Sequence, residues 1–314
     1  MLKPRLFVRS QQPMTLPPYT EGDMALRPIR ERHARGLFAI VDSDRAYLRR
    51  WQNWPDTIRT LKHMRDLIRH SHQKSRTHSG FDAVIYYRGE LAGKIGLVFI
   101  DWQAGRAEIG YWLGERFQGH GLITRATRVI TGHVLGPMGL SCVQIRCAAE
   151  NVRSRAVPER LGFRYDGVLP YQIWLHGELH DDTLYTMTAT EWFNRMIYHI
   201  TAREDWERAR RNGIYEPASL ATEGFIHASK RDQVVRVADA VFANRTDLLL
   251  LVIDPARLAS ELREEPPDLS VPAEHVAGET FPHIYGPLNL NAVVDVIEFP
   301  SGLDGRFELP PPLD

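Results

Sequence analysis

A short segment bracketed by two glycines is the part of this chain best suited to holding a phosphate. Gln118, Gly119, His120 and Gly121 follow a strand-like run and precede a helix-like one. Glycine loses more backbone entropy on folding than any other residue, so a pair of glycines at such a junction needs a reason. One reason is a tight turn. The other is a backbone that approaches a phosphate with the free N–H groups of a helix N-terminus. The pattern alone leaves both interpretations open.

The strand that leads into this loop carries an acidic residue. Alternation along "AEIGYWL" places Glu108 and Trp112 on one face of the strand, and Tyr111 and Leu113 on the other. A carboxylate on an otherwise apolar strand could act as a general base. It could equally be an edge residue that pairs with an arginine.

The order of these segments resembles the GCN5-related N-acetyltransferase superfamily, and within it the ribosomal-protein N-terminal acetyltransferase branch. The resemblance covers roughly Leu26 to Met187 and rests on "YLRRWQNWPD", "AEIGYWL", "QGHGLITRA", "QIRCAAEN", "NVRSRAVPERLGF" and "HDDTLY", in that order. It implies a bacterial acetyl-CoA-dependent N-acetyltransferase. It also implies a mixed, mostly antiparallel sheet with a V-shaped splay, flanked by helices.

The resemblance gives the glycine loop a specific role. The family signature is Gln or Arg, two residues, Gly, one residue, then Gly or Ala, and its last position here is the bulkier Ile123. In the family this loop holds the pyrophosphate of acetyl-CoA on its N–H groups. The acetyl-CoA contacts implied here are Trp112, Leu113, Gln118, Gly119, His120, Gly121, Leu122, Ile123, Thr124 and Asn151.

Acetyl transfer to an amine needs a polarised thioester carbonyl, a base and an acid. The family polarises the carbonyl with backbone N–H groups of splayed strands. The resemblance suggests Glu108 as the base, acting through water, and Ser154 as the acid that protonates the thiolate; hydrogen bonding at a helix N-terminus is the alternative for Ser154. No metal is expected. Two positions depart from the family: Ile173 stands where relatives carry a carboxylate, and Pro158 should remove a helix hydrogen bond.

The acceptor is predicted to be the N-terminal α-amine of a protein or peptide. An α-amine has a pKa of about 7.7–8.0 against about 10.4 for Lys, so it suits a site with a weak base. Trp51, Trp54, Tyr111 and Trp174 could line the acceptor cleft, or each could belong to the core. One alternative acceptor is a small amine such as a polyamine or antibiotic. A second alternative is a catalytically weak acetyl-CoA sensor, which the departure at Ile173 favours.

The second part of the chain resembles domain-of-unknown-function family 952 over nearly all of Met196–Phe299. The recurring pieces are His199, "EGFIHAS" with His227, and "FPHIYGPLN" with His283. That family implies no activity. A distant likeness to the ADP-ribosyltransferase fold suggests that these histidines, with Ser229 and Tyr285, form a nucleotide or NAD pocket. Structural histidines and a zinc site are the alternatives; the long spacing is unlike a compact metal motif.

Composition and periodicity predict two α/β (α+β) domains, residues 1–194 and a smaller one at 195–314. Net charge is zero, but basic residues predominate before residue 196 and acidic ones after it. The longest apolar run, "LLLLVI", is far shorter than the roughly 20 residues of a membrane helix. We expect a cytoplasmic monomer or homodimer with two free buried thiols and neither membrane nor nucleic acid as partner.

Local patterns predict several elements of this framework. A hairpin should turn at Arg88–Glu90, a helix should follow an Asp56 cap, and another should run from about Leu122 to His133. The stretch Glu264–Ala277 reads as a loop.

Overall fold

The computed structural model describes residues 14–266, 278–311 and 313. The chain divides into two compact units, the first ending at Thr188 and the second beginning at Ala189. This division falls six residues before the boundary predicted at 194/195. No helix in the described ranges is long and apolar enough to cross a membrane.

An eight-stranded sheet forms the centre of the first unit. Its strands are β1 (Tyr19–Glu21), β2 (Met24–Pro28), β3 (Asp82–Tyr87), β4 (Glu90–Asp101), β5 (Arg106–Leu113), β6 (Cys142–Ala148), β7 (Arg164–Leu175) and β8 (Glu178–Thr188). They lie in the order β1-β2-β3-β4-β5-β6-β8-β7. Only the β5–β6 pairing is parallel, and it ends at Ile109↔Ile145, so both strands continue past their last shared pair. The predicted mixed, mostly antiparallel sheet with a splay is therefore confirmed.

Helices cover both faces of this sheet. They are α1 (Ala34–Ser43), α2 (Arg45–Arg49), α3 (Leu61–Arg76), α4 (Leu122–Leu135) and α5 (Val152–Arg160). The apolar sides of α1 and α3 pack with Trp112 in one buried cluster. Helix α4 packs against β4, β5 and β6, and α5 packs against β6. By strand alternation, the α1–α3 side is the face of Trp112, and the α4–α5 side is the face of Ile109.

One local prediction for this unit needs correction. Helix α2 is followed by a 3₁₀ turn at Trp54–Asp56, and Asp56 lies in that turn. Asp56 is therefore not the cap of α3. Thr60 is, because its hydroxyl accepts a hydrogen bond from the N–H of His63. The hairpin prediction is confirmed, since Arg88 and Gly89 both have positive φ between β3 and β4.

The second unit contains three small sheets. Its strands are β9 (Ile197–Ala202), β10 (Ile214–Tyr215), β11 (Ile226–His227), β12 (Leu248–Ile253), β13 (Glu261–Glu265), β14 (Phe281–Tyr285), β15 (Leu288–Asn289) and β16 (Val293–Glu298). The helices are α6 (Ala189–Phe193), α7 (Arg203–Asn212), α8 (Ala218–Thr222) and α9 (Val234–Val241). The sheets have the orders β16-β12-β9, β11-β14-β13 and β10-β15.

Burial explains why β12 was readable from sequence. All six of its residues are buried at the centre of its sheet, which matches their continuous apolar run. The loop expected at Glu264–Ala277 begins later than predicted, because Glu264 and Glu265 still pair in β13. Residues 267–277 lie outside the described part of the chain.

Candidate functional site

The glycine loop is a bend between β5 and α4 with both glycines in the left-handed region. Gly119 has φ +80° and Gly121 has φ +66°, conformations that side-chain-bearing residues rarely adopt. A Cβ at either position would meet no atom within 4 Å, so the space above the loop is open. Gly121 immediately precedes α4. The N-terminus of this helix has neither a side-chain cap nor an acidic residue in its first turn. The first N–H groups of α4 therefore point outward without a side-chain partner.

The side chains around this loop differ in their contacts and in their exposure. The Gln118 carboxamide oxygen accepts a hydrogen bond from Arg153 in the first turn of α5. The His120 ring stacks on Tyr87, with ring centroids 4.5 Å apart. Leu122 is buried, so it can offer a ligand only its backbone, while Ile123 and Thr124 remain partly exposed.

The splay between β5 and β6 exposes backbone groups of β5. Gly114 donates its N–H to Ala92 of the β4 side (2.8 Å). Because alternate N–H groups of a strand point to opposite edges, those of Tyr111 and Leu113 point toward the β6 edge. The β5–β6 ladder has ended at Ile109 by this point. The Trp112 side chain is instead buried and packs on Trp54 with ring centroids 5.5 Å apart, so it cannot reach a ligand in the splay.

The two residues predicted to move protons lie on opposite faces of the sheet. Glu108 pairs with Gln144 on the face of α1 and α3. Ser154 lies on α5 and contacts Tyr111, which is on the other face. A group lying in the splay can be approached from both faces, so this separation is compatible with different roles in one reaction.

Glu108 belongs to a polar cluster that sequence reasoning missed. Arg146 donates from Nε to Asp182 Oδ2 (2.7 Å), and both residues share the Glu108 face. Burial raises the pKa of Glu108, and the nearby Arg146 opposes that rise. Burial also raises the pKa of Asp182, whose side chain is only 4% exposed. Its Oδ1 is buried and has no hydrogen-bond partner among the described residues, which is an unusual state for a carboxylate oxygen.

Ser154 is part of a hydrogen-bonded pair with Tyr111. The Asn151 side chain accepts from the N–H of Ser154 (3.2 Å), so Asn151 caps α5. Pro158 has no N–H to give to the carbonyl four residues earlier, which is that of Ser154. The Tyr111 hydroxyl donates to this carbonyl instead (3.1 Å) and accepts from Ser154 Oγ (3.3 Å). Burial raises the pKa of Tyr111 far above its usual range.

Three of the four aromatic residues predicted for the acceptor cleft come from neighbouring segments. Asn53, between Trp51 and Trp54, donates to the carbonyl of Trp174 and accepts from the N–H of His176 (3.4 Å). Trp174 is 59% exposed, whereas Trp54 is partly buried against Trp112. Tyr111 requires a correction: it lies on the opposite face, beside Ser154, and so is not a wall of that cleft.

The histidines of the second unit converge on one cavity. His227 and His283 are paired residues of β11 and β14, with ring centroids 5.6 Å apart. His199 Nδ1 lies 2.6 Å from the His227 carbonyl, and its Nε2 lies 2.7 Å from the Tyr215 hydroxyl. Because a carbonyl only accepts, we assign the proton to Nδ1. Burial lowers the pKa of His199 to about 4, so it is neutral at pH 7.

The remaining two predicted members take different positions. Ser229 lines the cavity, but Tyr285 lies next to His283 and donates to Glu265 (2.8 Å), the carboxylate that also accepts from His283 Nδ1 (3.0 Å). No group of three or more potential metal ligands occurs among the described residues.

In comparisons with known proteins, each unit contains a segment that matches a family model. Residues 23–164 match the model of the acetyltransferase (GNAT) domain. Residues 200–296 match the model named protein of unknown function (DUF952). Both matches agree with the resemblances seen in the sequence.

Individual relatives agree with the first match. A putative ribosomal N-acetyltransferase, YdaF of Bacillus subtilis, is 38% identical over 36% of this chain and 62% of its own length. The ribosomal-protein-serine acetyltransferase of Escherichia coli is 27% identical over 52% of this chain and 90% of its own length. The solved complex of RimL, a ribosomal L7/L12 alpha-N-protein acetyltransferase, with coenzyme A is 25% identical with a TM-score of 0.52. It covers 54% of this chain and 95% of that one. The chain thus spans less than two thirds of the first of these relatives and nearly all of the other two.

Proposed function

We propose, from the match of residues 23–164 to the model of the acetyltransferase (GNAT) domain, that the first unit transfers the acetyl group of acetyl-CoA to the N-terminal α-amine of a protein or peptide. One observation carries the proposal. The open glycine loop at the start of α4 and the unpaired edge of β5 lie at the two ends of one short segment, Tyr111 to Gly121. The solved relative with coenzyme A supports the choice of cosubstrate.

The loop and the splay bind different parts of acetyl-CoA. The first N–H groups of α4, from Leu122 to Thr124, hold the pyrophosphate at the positive end of the helix dipole. The N–H groups of Tyr111 and Leu113 face the splay, where they polarise the thioester carbonyl and stabilise the oxyanion that forms on it. Gln118, Gly119, His120, Gly121 and Asn151 shape the loop and the start of α5 rather than donate side chains to the chemistry.

Transfer then proceeds in one ternary complex. The neutral amine nitrogen attacks the thioester carbon, a C–N bond forms, and the C–S bond breaks. Glu108 receives the proton that the amine gives up, through water. Ser154 Oγ donates a proton to the departing thiolate and regains one from water in the splay, while the Tyr111 hydroxyl, which accepts the hydrogen bond of Oγ, holds the serine in place. The products are the acetylated amine and coenzyme A.

Asp182 supplies the carboxylate that Ile173 does not. Ile173 is on β7 and pairs with His180, so Asp182 follows two residues later on β8. The acceptor arrives as an ammonium ion, and the buried Asp182 Oδ1 can accept one of its N–H bonds before the proton is lost to Glu108. Arg146 holds the other carboxylate oxygen, and its positive charge opposes the rise in the Asp182 pKa that burial causes.

A peptide acceptor fits the surroundings of this face. The partly exposed Trp51 and the exposed Trp174 stand on segments joined through Asn53, next to the Trp54–Trp112 pair. Flat aromatic walls can hold the first residues of an extended chain while its α-ammonium reaches Asp182. The ribosomal-protein substrates named for two relatives support an acceptor of this kind.

The test is release of the coenzyme A thiol by the purified full chain. The amines offered are peptides with free Ser, Ala or Met N-termini, the same peptides N-blocked but containing Lys, and polyamines. We expect release only with free N-termini. Release only with polyamines would support acetyltransferase activity but would mean that the acceptor is a small amine. Tight acetyl-CoA binding with no release on any amine would overturn the transferase and favour an acetyl-CoA sensor.

A further inference from the structure

The second unit encloses a cavity that the proposed acetyl transfer does not use. Its volume is about 360 Å³, and its walls come from β9, β11, β14 and α9. Tyr215, Phe242 and Phe281 give it aromatic surface, and Val237, Val241 and Leu248 give it aliphatic surface. Cavities of this size with mostly apolar walls and few polar groups are typical of small-molecule sites.

The charged residues on its wall are already paired. Arg245 makes two hydrogen bonds of 2.6 Å to the two carboxylate oxygens of Asp247. Asp205 accepts from Arg208. His199 is neutral, because burial lowers its pKa to about 4. Among the residues that line the cavity, no Lys or Arg other than Arg245 is present, so the wall offers little to a phosphate.

Two buried side chains on the wall have polar atoms available to a ligand. Ser229 is 4% exposed, and because both its backbone groups pair with Tyr198, its hydroxyl is the group left for a ligand. His283 is equally buried; Glu265 holds its Nδ1 and so leaves Nε2 for a ligand. A bound molecule that pairs with both groups gains affinity from these hydrogen bonds.

Two carboxylates bind the histidines of the cavity wall. Glu223 accepts from His227 Nε2 (2.8 Å), and both side chains are partly exposed, at 42% and 35%. Glu265 joins His283 and Tyr285 on the other strand. Carboxylates at such positions bind ribose hydroxyl groups well and repel phosphates.

We propose that this cavity binds a neutral nucleoside, with its base between the aromatic walls, its polar edge on Ser229 Oγ and His283 Nε2, and its sugar hydroxyls at Glu223. The cavity is near the lower end of the range for ligand sites, so a dinucleotide would extend beyond it. The inference concerns only the second unit and stands whether or not the first unit transfers acetyl groups.

The test is isothermal titration of the full chain with adenosine, guanosine, cytidine and uridine, each compared with its 5′-monophosphate, and with NAD. We expect saturable binding of at least one nucleoside and at least tenfold weaker binding of its monophosphate. Ser229→Ala should weaken that nucleoside roughly three- to tenfold through loss of one hydrogen bond. Ser301→Ala makes the same chemical change in the same unit but outside the cavity, and should leave the affinity unchanged.

A second variant guards against misfolding. His283→Phe keeps a ring that can stack on Phe225, at 4.1 Å in the present structure, but removes Nε2. It should weaken the nucleoside at least tenfold while the circular dichroism spectrum is unchanged. No binding of any of the four nucleosides would overturn the proposal, as would tighter binding of a monophosphate or NAD, or equal affinity in Ser229→Ala and Ser301→Ala.

Discussion

The two units of this chain build their candidate sites in opposite ways. In the first unit the cosubstrate site comes from backbone N–H groups of one continuous segment, from Tyr111 through Gly121 to Thr124. In the second unit the cavity comes from side chains on strands far apart in sequence, such as His199, Ser229 and His283. A backbone site leaves a local pattern in the sequence, whereas a side-chain site depends on how distant strands pair.

The two sites also differ in how they handle charge. The first unit has two carboxyl groups whose pKa is raised by burial, Glu108 and Asp182, and Asp182 Oδ1 has no hydrogen-bond partner among the described residues. Groups in that state suit proton transfer and the binding of a cation. On the cavity wall of the second unit, Arg245 is paired, His199 is neutral, and Ser229 is an uncharged hydroxyl. This contrast supports the proposals of proton transfer in the first unit and of recognition of a neutral molecule in the second.

The largest effect should come from Glu108→Gln. Removing a general base typically costs 10²- to 10⁴-fold, so we expect kcat for a free-N-terminus peptide to fall by about that factor. The dissociation constant of acetyl-CoA should not change, because the loop and the β5 backbone remain. Glu178→Gln, which removes the same charge at the exposed start of β8, is the matched control and should retain activity. A kcat within threefold of the wild type in Glu108→Gln would remove Glu108 from the chemistry.

The next largest effect should be on stability, in His199→Phe. The change removes both hydrogen bonds of the ring in a buried place, at a cost of about 3 kcal/mol. Hydrogen exchange followed by mass spectrometry measures this loss of stability separately in each unit. Amides of β12 should lose more protection than amides of β6. Equal losses in the two strands would mean that His199 does not stabilise the second unit specifically.

The same residue predicts a pH dependence. The pKa of His199 is about 4 in the folded chain and about 6.5 when unfolded, so the unfolded state takes up the proton first as pH falls. Stability from this group is therefore complete above pH 6.5 and is lost between pH 6.5 and 4, by about 2 kcal/mol from pH 7 to 5. Protection of β12 in the wild type should fall over that range, and in His199→Phe the fall should be smaller. An identical fall in both would assign it to other groups.

The sequence predicted more of the first candidate site than of the second. The strand, the glycine loop and the cap at Asn151 are local features, and each is present where the pattern placed it. Asp182 was missed because "HDD" gives two adjacent carboxylates on opposite faces, and only the register of β8 against β6 shows which one faces Arg146. Tyr111 was misplaced because its partner is a carbonyl that Pro158 leaves free on a different element.

The second site was readable only as a list of residue types. That His227 and His283 pair across β11 and β14 follows from strand register, which the sequence does not encode locally. That His199 is fully engaged by Tyr215 and a carbonyl, and so is structural, depends on burial. The polar partners of His199 come from β10 and β11. Neither strand is longer than two residues, so hydrophobic periodicity cannot predict them.

A smaller effect is expected from Asp182→Asn, which tests the role of the unsatisfied oxygen. A hydrogen bond to a charged group contributes about 1.5–3 kcal/mol, so KM for the peptide should rise at least tenfold, with kcat affected less. Asp181→Asn is the matched control: it removes the adjacent charge, and its amide oxygen can still accept from the N–H of Tyr171. Unchanged KM in Asp182→Asn together with a lower melting temperature would make the Arg146–Asp182 pair purely structural.

The smallest effect should be that of Ser154→Ala. A thiol has a pKa of about 8.5, so the coenzyme A thiolate leaves readily and needs little help from an acid. Losing Ser154 Oγ should therefore reduce kcat only about three- to tenfold, because water can protonate the thiolate in its place. Tyr111→Phe removes the hydroxyl that holds Ser154 Oγ in place and leaves the serine. If the two hydroxyls act together, the double variant should lose no more activity than the more impaired single variant; if each protonates the thiolate independently, the two losses should multiply. Steady-state kinetics of the three variants separate these outcomes. A fall in kcat above 10²-fold in Ser154→Ala would show that thiolate departure, rather than attack by the amine, limits the rate in this chain.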